Sequence, residues 1–269
     1  MASEEPNITL YTAQTPNGIK ISIALEELSI PYKVRKVDLA AASEQKTDWF
    51  QAINPNGRIP ALTDSRPPFA SPSKAKGTTA PDSINLFESG SIFLYLTTHY
   101  DPEFKISFPV GSREWHEMVN WVFWQNAGLG PMQGQSNHFT RYAPLPMEQH
   151  EYGRNRYQNE TRRLYRVLET HFDKNPGYEY IMGSKCTVAD ITSWGWISLS
   201  AWAGVDIGEF PKLKEWVARC GERPGFKKGA DVPEPSKARD ILGDPKKMEE
   251  FAAKGREWVQ KGMKEDAQK

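Results

Sequence analysis

Cysteine is nearly missing from this chain: there are two in 269 residues, Cys186 and Cys220. A pair so far apart builds no disulfide framework, and reduced intracellular thiols are expected. Net charge is missing as well. Lys+Arg and Asp+Glu both number 34, so no overall field draws the protein to nucleic acid or to an anionic membrane. Recognition is left to a local site. No run approaches the ~20 apolar residues of a membrane span. The opening residues, MASEEPNITL, carry no basic stretch followed by an apolar one and do not read as a secretory signal. The histidines at 99, 116, 138, 150 and 171 show no metal-ligand spacing. A soluble, cytoplasmic protein without metal, nucleic-acid partner or membrane partner is expected.

What is present is enough for a real core. Hydrophobic residues make up 38%, with 9 Trp, 12 Phe and 10 Tyr, which argues against disorder. Residues 7–11 (NITLY) have the pattern of a short strand, and Ile21, Ala24, Leu25 and Leu28 then recur at helical spacing. Pro31 stops that helix, and residues 32–38 (YKVRKVD) predict a second strand, hence a crossover with parallel strands. Turn residues Asn54 to Gly57 lead into a strand at 59–63. Residues 65–82, rich in Pro, Ser, Lys and Gly, predict a long loop. Residues 84–87 (INLF) return as a hairpin partner, and 89–100 predict a helix. The order β-α-β then β-β-α is a thioredoxin-like pattern.

From Arg113 onward strands vanish. Residues 114–125 (EWHEMVNWVFWQ) predict an aromatic helix, stopped near Gly128-Leu129-Gly130-Pro131. Its Trp115, Trp121, Phe123 and Trp124 are expected mostly in the core, with one or two lining a pocket. Helices are also expected over 147–172, 187–202, 210–220 and 245–263. The expected division is an α/β domain over 1–101 and an all-helical domain over 110–269.

Several motifs have chemical potential. The turn TPNG joins the first strand to the first helix without a cysteine, histidine or acidic group. In RIPAL, Pro60 suits a strand start, where a missing ladder donor is tolerated. On the dipeptide alone an ordinary trans start is favoured over a cis bond, which would turn the Ile59 backbone outward to an extended ligand. In FESG, Ser89 suits an N-cap, and capping alone accounts for it. A helix start also favours a carboxylate, and Glu88 beside it suits an ammonium group; an amino acid's α end carries both. CTVADI resembles a capping box, with Thr187 as N-cap and Asp190 at N3. Cys186 has no partner beyond Lys185 to lower its pKa and is not expected to be a nucleophile. The run GRNRYQNETRR has the pattern of a solvated helix face; Arg156 is the residue to watch there.

Taken together, NPNGRIPAL, FESGSIFLYL and TVADI at these separations resemble the glutathione transferases over nearly the whole chain. Within them, TPNG, WQNAGLGPMQGQSNHF and RYQNETRRLYRVLE resemble the nu class and the fungal transferases related to the nitrogen-catabolite repressor. The resemblance implies a thioredoxin-like N-terminal domain that binds glutathione, followed by an all-α C-terminal domain, in a homodimer. It implies that Ile59 pairs its backbone with the cysteinyl part of glutathione and that Pro60 is cis after all. Glu88 and Ser89 would grip the γ-glutamyl end, while Gln45 and Arg58 would contact the tripeptide near its glycine carboxylate. Arg156 matches an arginine that reaches toward the site in some relatives. Thr15 and Asn17 fall on the turn positions that face the sulfur. Thioredoxin relatives carry a redox cysteine pair at this turn; here the ligand would bring the thiol.

A free thiol has a pKa of about 8.5. One donor aimed at sulfur, worth roughly 1.5–3 kcal/mol, lowers that by on the order of one to two units. The Thr15 hydroxyl and Asn17 amide, or backbone N–H groups at the helix start, can donate such hydrogen bonds but have no general-base chemistry. The expected activity is therefore thiolate stabilisation, for conjugation to electrophiles or reduction of disulfides or peroxides, with glutathione as cosubstrate and a detoxifying role. A regulatory or scaffold protein that kept the fold and lost the chemistry is the alternative. No Asn/Gln-rich tail precedes the first strand to favour it.

Overall fold

A computed structural model describes residues 6–68, 83–144 and 146–267. By their contacts the residues group into two units, Met1–Trp115 with Arg223–Pro235, and His116–Glu222 with Ser236–Lys269. In the first unit, β1 (Ile8–Thr12), α1 (Gly18–Glu27), β2 (Tyr32–Lys36), β3 (Ala61–Asp64), β4 (Ile84–Phe87) and α3 (Ser89–His99) follow in the order the periodicities predict, and a short helix that they do not predict, α2 (Asp48–Gln51), lies between β2 and β3. The sheet order is β2-β1-β3-β4, with β1 parallel to β2 and antiparallel pairs β1–β3 and β3–β4. This is the thioredoxin-like arrangement. Every residue of α1 from Gly18 to Leu25 is buried, so the helix is enclosed rather than amphipathic. Asp64 pins α3 to the sheet: it accepts from Tyr95 Oη at 2.7 Å and from Tyr100 Oη. Burial and the carboxylate beside them push both phenols up. Of the expected 65–82 loop, residues 69–82 lie outside the described residues.

The sequence division between 101 and 110 follows element content, whereas packing also brings the helical segment 223–235 into the first unit. Gly229 explains why. A Cβ there would lie 2.5 Å from the backbone of Ile23, so only glycine allows this approach. Ser22 Oγ donates to Gly229 C=O at 2.7 Å, and Arg223 pairs with Glu27 at 2.5 Å.

The second unit is helical, with α4 (Arg113–Trp124), begun in the first unit, then α5 (Gly130–Asn137), α6 (Glu151–Lys174), α7 (Val188–Ile197), α8 (Pro211–Glu222), and, beyond the first-unit helix α9 (Pro224–Gly229), α10 (Ala238–Ile241) and α11 (Pro245–Asp266). The helix expected to stop near Gly128 does not stop. A π-helical turn at Gln125–Leu129 carries it into α5, and another follows at His138–Tyr142. The wider turn accommodates Pro131, whose missing N–H would break a regular helix. Nor are the aromatics of α4 its core: Met118 and Val122 are buried, while Phe123 is 56% exposed. The capping box is present as expected. Asp190 accepts from the N–H groups of Thr187 and Ile181 and from Trp216 Nε1, each at 2.9 Å. Burial pushes its carboxyl up against these donors.

Candidate functional site

The strand register gathers the expected first-unit residues at one edge. Tyr11 pairs with Ala61, and Ala61 with Phe87, so these three form the last row of β1, β3 and β4. Just beyond that row lie the 13–17 turn, Ile59-Pro60 and Glu88-Ser89. Beyond the end of β2 the chain reaches Gln45.

The first turn closes through Gly18, where a Cβ would stand 2.0 Å from Ala13 C=O. Thr15 Oγ1 accepts from Gly18 N–H at 3.0 Å, and Thr15 C=O accepts from Ile19 N–H at 3.1 Å. With a lone pair so engaged, the hydroxyl keeps its proton to donate. Asn17 occupies the N-cap position with helical φ and ψ, and its side chain makes no capping bond. Gln14 Nε2 ties the turn to Ala230 C=O at 2.7 Å and Glu234 C=O at 3.1 Å. Neither cysteine is here; Cys186 and Cys220 are buried in the second unit.

At the β3 entry the Ile59–Pro60 bond is cis, against the dipeptide preference and in line with the resemblance. The Ile59 side chain packs on Val37, Phe50 and Ala61, while β3 pairing starts only at Ala61, so the Ile59 backbone stands outside the ladder. Asn54 shapes the approach: Nδ2 donates to Arg58 C=O at 2.5 Å, and Oδ1 accepts from Asn56 N–H at 2.9 Å. The Arg58 residue is exposed. Gln45 is 8% exposed; its Nε2 donates to Leu39 C=O at 3.4 Å, and its Oε1 is buried with no hydrogen-bond partner among the described residues.

The third turn corrects one expectation. Ser89 is the first residue of α3 and not its N-cap; Glu88 holds that position, at φ 65° and ψ 117°. The Ser89 hydroxyl instead accepts from Lys20 Nζ at 3.2 Å. Glu88 is exposed and accepts from Asn56 Nδ2 at 3.3 Å. Lys20 escaped sequence reasoning, although apolar residues at 19, 21, 23, 24 and 25 surround it on more than one helix face. Arg156 belongs to the second unit. It is exposed on α6, with its guanidinium 5.9 Å from the Tyr157 ring, and lines a polar cleft of ≈ 1130 Å³ together with Tyr152, Glu160, Arg163 and Arg166. Among the described residues no cluster of His, Cys, Asp and Glu could hold a metal ion, and no helix is long and apolar enough to cross a membrane.

The N-terminal domain of glutathione S-transferase, as a sequence family, matches residues 16–99, and its C-terminal domain matches 136–224. The disulfide-bond oxidoreductase YfcG of Escherichia coli is 36% identical over 217 residues, spanning 81% of this chain and 91% of its own. A glutathione transferase homolog from Lodderomyces elongisporus, solved with two GSH per subunit, is 39% identical with a TM-score of 0.74 over 85% of this chain and 99% of its own. The glutathione transferase URE2P6 from Phanerochaete chrysosporium, solved with oxidised glutathione, is 32% identical with a TM-score of 0.70, covering 85% and 96% of the two chains.

Proposed function

Since the chain belongs to the glutathione S-transferase family, we propose that it binds glutathione along the sheet edge of its first unit and stabilises the bound thiolate. Reduction of small disulfides is the main reaction, and conjugation to electrophiles is secondary. The observation that carries this is the shared edge: a turn with donors but no cysteine, the Ile59 backbone outside the ladder, and the Glu88-Ser89 helix start. The Ile59 N–H and C=O pair with the cysteinyl residue as a short added strand. The buried Oε1 of Gln45 accepts a ligand N–H, and the exposed Arg58 meets the glycine carboxylate. Glu88 takes the γ-glutamyl ammonium, and Ser89 with the first N–H groups of α3 takes its carboxylate.

The Thr15 hydroxyl and Asn17 amide donate to the sulfur, so the thiol gives its proton to water and remains an anion near neutral pH. That thiolate attacks one sulfur of a disulfide, the other sulfur leaves as thiolate and takes up a proton, and a mixed disulfide remains. A second glutathione thiolate attacks the glutathione sulfur of the mixed disulfide; oxidised glutathione forms and the second substrate thiol departs. Two glutathiones, or one oxidised pair, fit this sequence, in keeping with the nu-like turn. Arg156, the further cation that the resemblance implies for the ligand, is tested apart from these: Arg156→Ala is expected to weaken glutathione binding several-fold. The protein is taken to work as a homodimer, which sedimentation reads directly.

Calorimetry with reduced and oxidised glutathione, beside hydroxyethyl-disulfide reduction and chloro-dinitrobenzene conjugation, tests the reading. Saturable binding with faster disulfide reduction is expected. Folded protein that takes up neither form of glutathione overturns it.

A further inference from the structure

Segment 223–235 lies along α1, and its contacts run in order toward the 13–17 turn. Arg223 pairs with Glu27 at the far end of the helix, and Lys228 pairs with Glu26 at 2.7 Å. Gly229 C=O then accepts from Ser22 Oγ at 2.7 Å, nearer the helix start. Ala230 C=O and Glu234 C=O end the series by accepting from Gln14, the residue before Thr15. One seam therefore joins the end of α1 to the turn that precedes it.

The last contact is unlike the others. The ion pairs have partly exposed cations and are screened by water. Gln14 instead gives both hydrogens of one uncharged nitrogen to two backbone carbonyls, at 2.7 and 3.1 Å. Its Oε1 is buried with no hydrogen-bond partner among the described residues. An unmatched buried acceptor costs about what such donations return, so the amide adds little net stability. What it fixes is direction, because a nitrogen clamped between two carbonyls can neither turn over nor slide along the segment.

The turn is thus held from two sides. Toward α1, Gly18 closes on Ala13 C=O, and Thr15 Oγ1 accepts from Gly18 N–H. Toward segment 230–234, Gln14 is the tie. Without that tie Thr15 keeps its cap while the backbone before it can shift, and a hydrogen bond weakens steeply as its angle opens.

We propose that Gln14 is a positioning residue for the reaction: by clamping the turn to segment 230–234 it aims the Thr15 and Asn17 donors and so keeps the bound sulfur ionised near neutral pH. This rests on the glutathione site and the thiolate stabilisation proposed for this edge. With both side-chain N–H groups committed to the segment, Gln14 acts through the turn and donates nothing to the ligand itself.

Two substitutions in the full-length protein separate aim from stability. Gln14→Met removes both donations and keeps the length of the side chain; Arg223→Met removes the ion pair at the far end of the same seam. Each is followed by thermal melts, by calorimetric titration with glutathione at about pH 5.5, where the thiol is mostly protonated, and by the thiolate absorbance of the bound ligand against pH. In Gln14→Met the thiolate fraction at about pH 6.5 is expected to fall roughly three- to tenfold, with affinity at the lower pH within about twofold of wild type. In Arg223→Met the melting temperature falls and the thiolate titration stays on the wild-type curve. A Gln14→Met titration that superimposes on wild type, or an equal displacement in Arg223→Met, overturns the inference, since a purely structural seam gives either result. Should Gln14→Met not fold, Gln14→Asn, which keeps the amide but is one methylene shorter, is read against the same outcomes. Wild type that binds no glutathione, or binds it without lowering the thiol's pKa, overturns the site proposed for this edge; a lowered pKa that Gln14→Met leaves in place overturns only the role of Gln14.

Discussion

The two strand-to-helix turns at the sheet edge solve one geometric problem by opposite means. Between β1 and α1 the chain uses a glycine where backbone meets backbone, and the Thr15 hydroxyl satisfies the first helical N–H. Between β4 and α3 it holds Glu88, a residue with a Cβ, at φ 65° and ψ 117°. Such a conformation in a non-glycine residue costs of order 1–3 kcal/mol. The first turn is relaxed, and Thr15 and Asn17 on it are the donors proposed for the sulfur. The second carries strain that a glycine would remove, which points to the Glu88 carboxylate as the reason for it.

The largest expected effect breaks the relaxed turn. In Gly18→Ala the new Cβ would lie 2.0 Å from Ala13 C=O and 2.6 Å from Thr12 Oγ1, and the backbone oxygen has no room to yield. A loss of about 3 kcal/mol or more in unfolding free energy is expected from urea titration. A midpoint close to wild type would show that this turn is not closed by glycine.

Lys20 leaves the helix of the first turn to reach the second, so its charge links them. Its amine takes a proton near 10.5 in the ordinary state and, buried, at about 7. Between those values the unfolded chain carries the extra proton, so the Lys20 contribution to unfolding free energy rises with pH. Relative to Lys20→Met, wild type should gain up to ~1.4 kcal/mol per pH unit above pH 7. Urea midpoints of both proteins at pH 7, 8 and 9 check this, and groups common to both cancel. Parallel pH profiles would reject it.

Much of this edge is legible in the sequence, and the exceptions share a cause. Strand alternation, Pro31 and the NPNG turn act within a few residues, so the β-α-β then β-β-α order and the positions of Thr15, Ile59 and Glu88 at its turns follow from local pattern. Lys20 does not, because a lone lysine in a helix looks solvated until α3 is packed over it. Ser89 looks like a cap because Ser-rich helix starts usually are; only the positive φ of Glu88, invisible in sequence, moves the cap back by one residue. Gly128-Leu129-Gly130-Pro131 looks like a stop, since a π turn depends on how the helix is held on both sides. The Gly229–Ile23 approach joins residues some two hundred positions apart, beyond any local pattern.

Glu88→Gly sharpens the strained side of the comparison. Removing the Cβ should raise stability by about 1 kcal/mol, because glycine takes φ 65° without penalty and its extra unfolded-state entropy offsets part of the gain. Glutathione binding should weaken by at least about tenfold, the worth of a hydrogen bond to a charged group. Thermal melts and calorimetry on one preparation read both. A variant that is more stable and binds undiminished would leave the strain without a function.

The smallest effects divide Thr15 and Asn17, the two donors proposed for the sulfur. Thr15→Ala removes the acceptor for Gly18 N–H and should cost about 1 kcal/mol of stability, as a lost helix cap does. Asn17→Ala removes no cap, since the Asn17 side chain makes no capping bond, and should cost less stability than Thr15→Ala. On the proposed role both remove a donor to the thiolate, so both should raise the bound thiol's pKa by roughly one unit. Disulfide reduction then slows several-fold at pH 6.5 and recovers toward the wild-type rate above pH 9, where the thiol ionises unaided. The thiolate absorbance of the bound ligand, followed against pH, separates this from a binding defect. Rates that fall equally at both pH values would mean that these side chains position the tripeptide and leave its sulfur as water would.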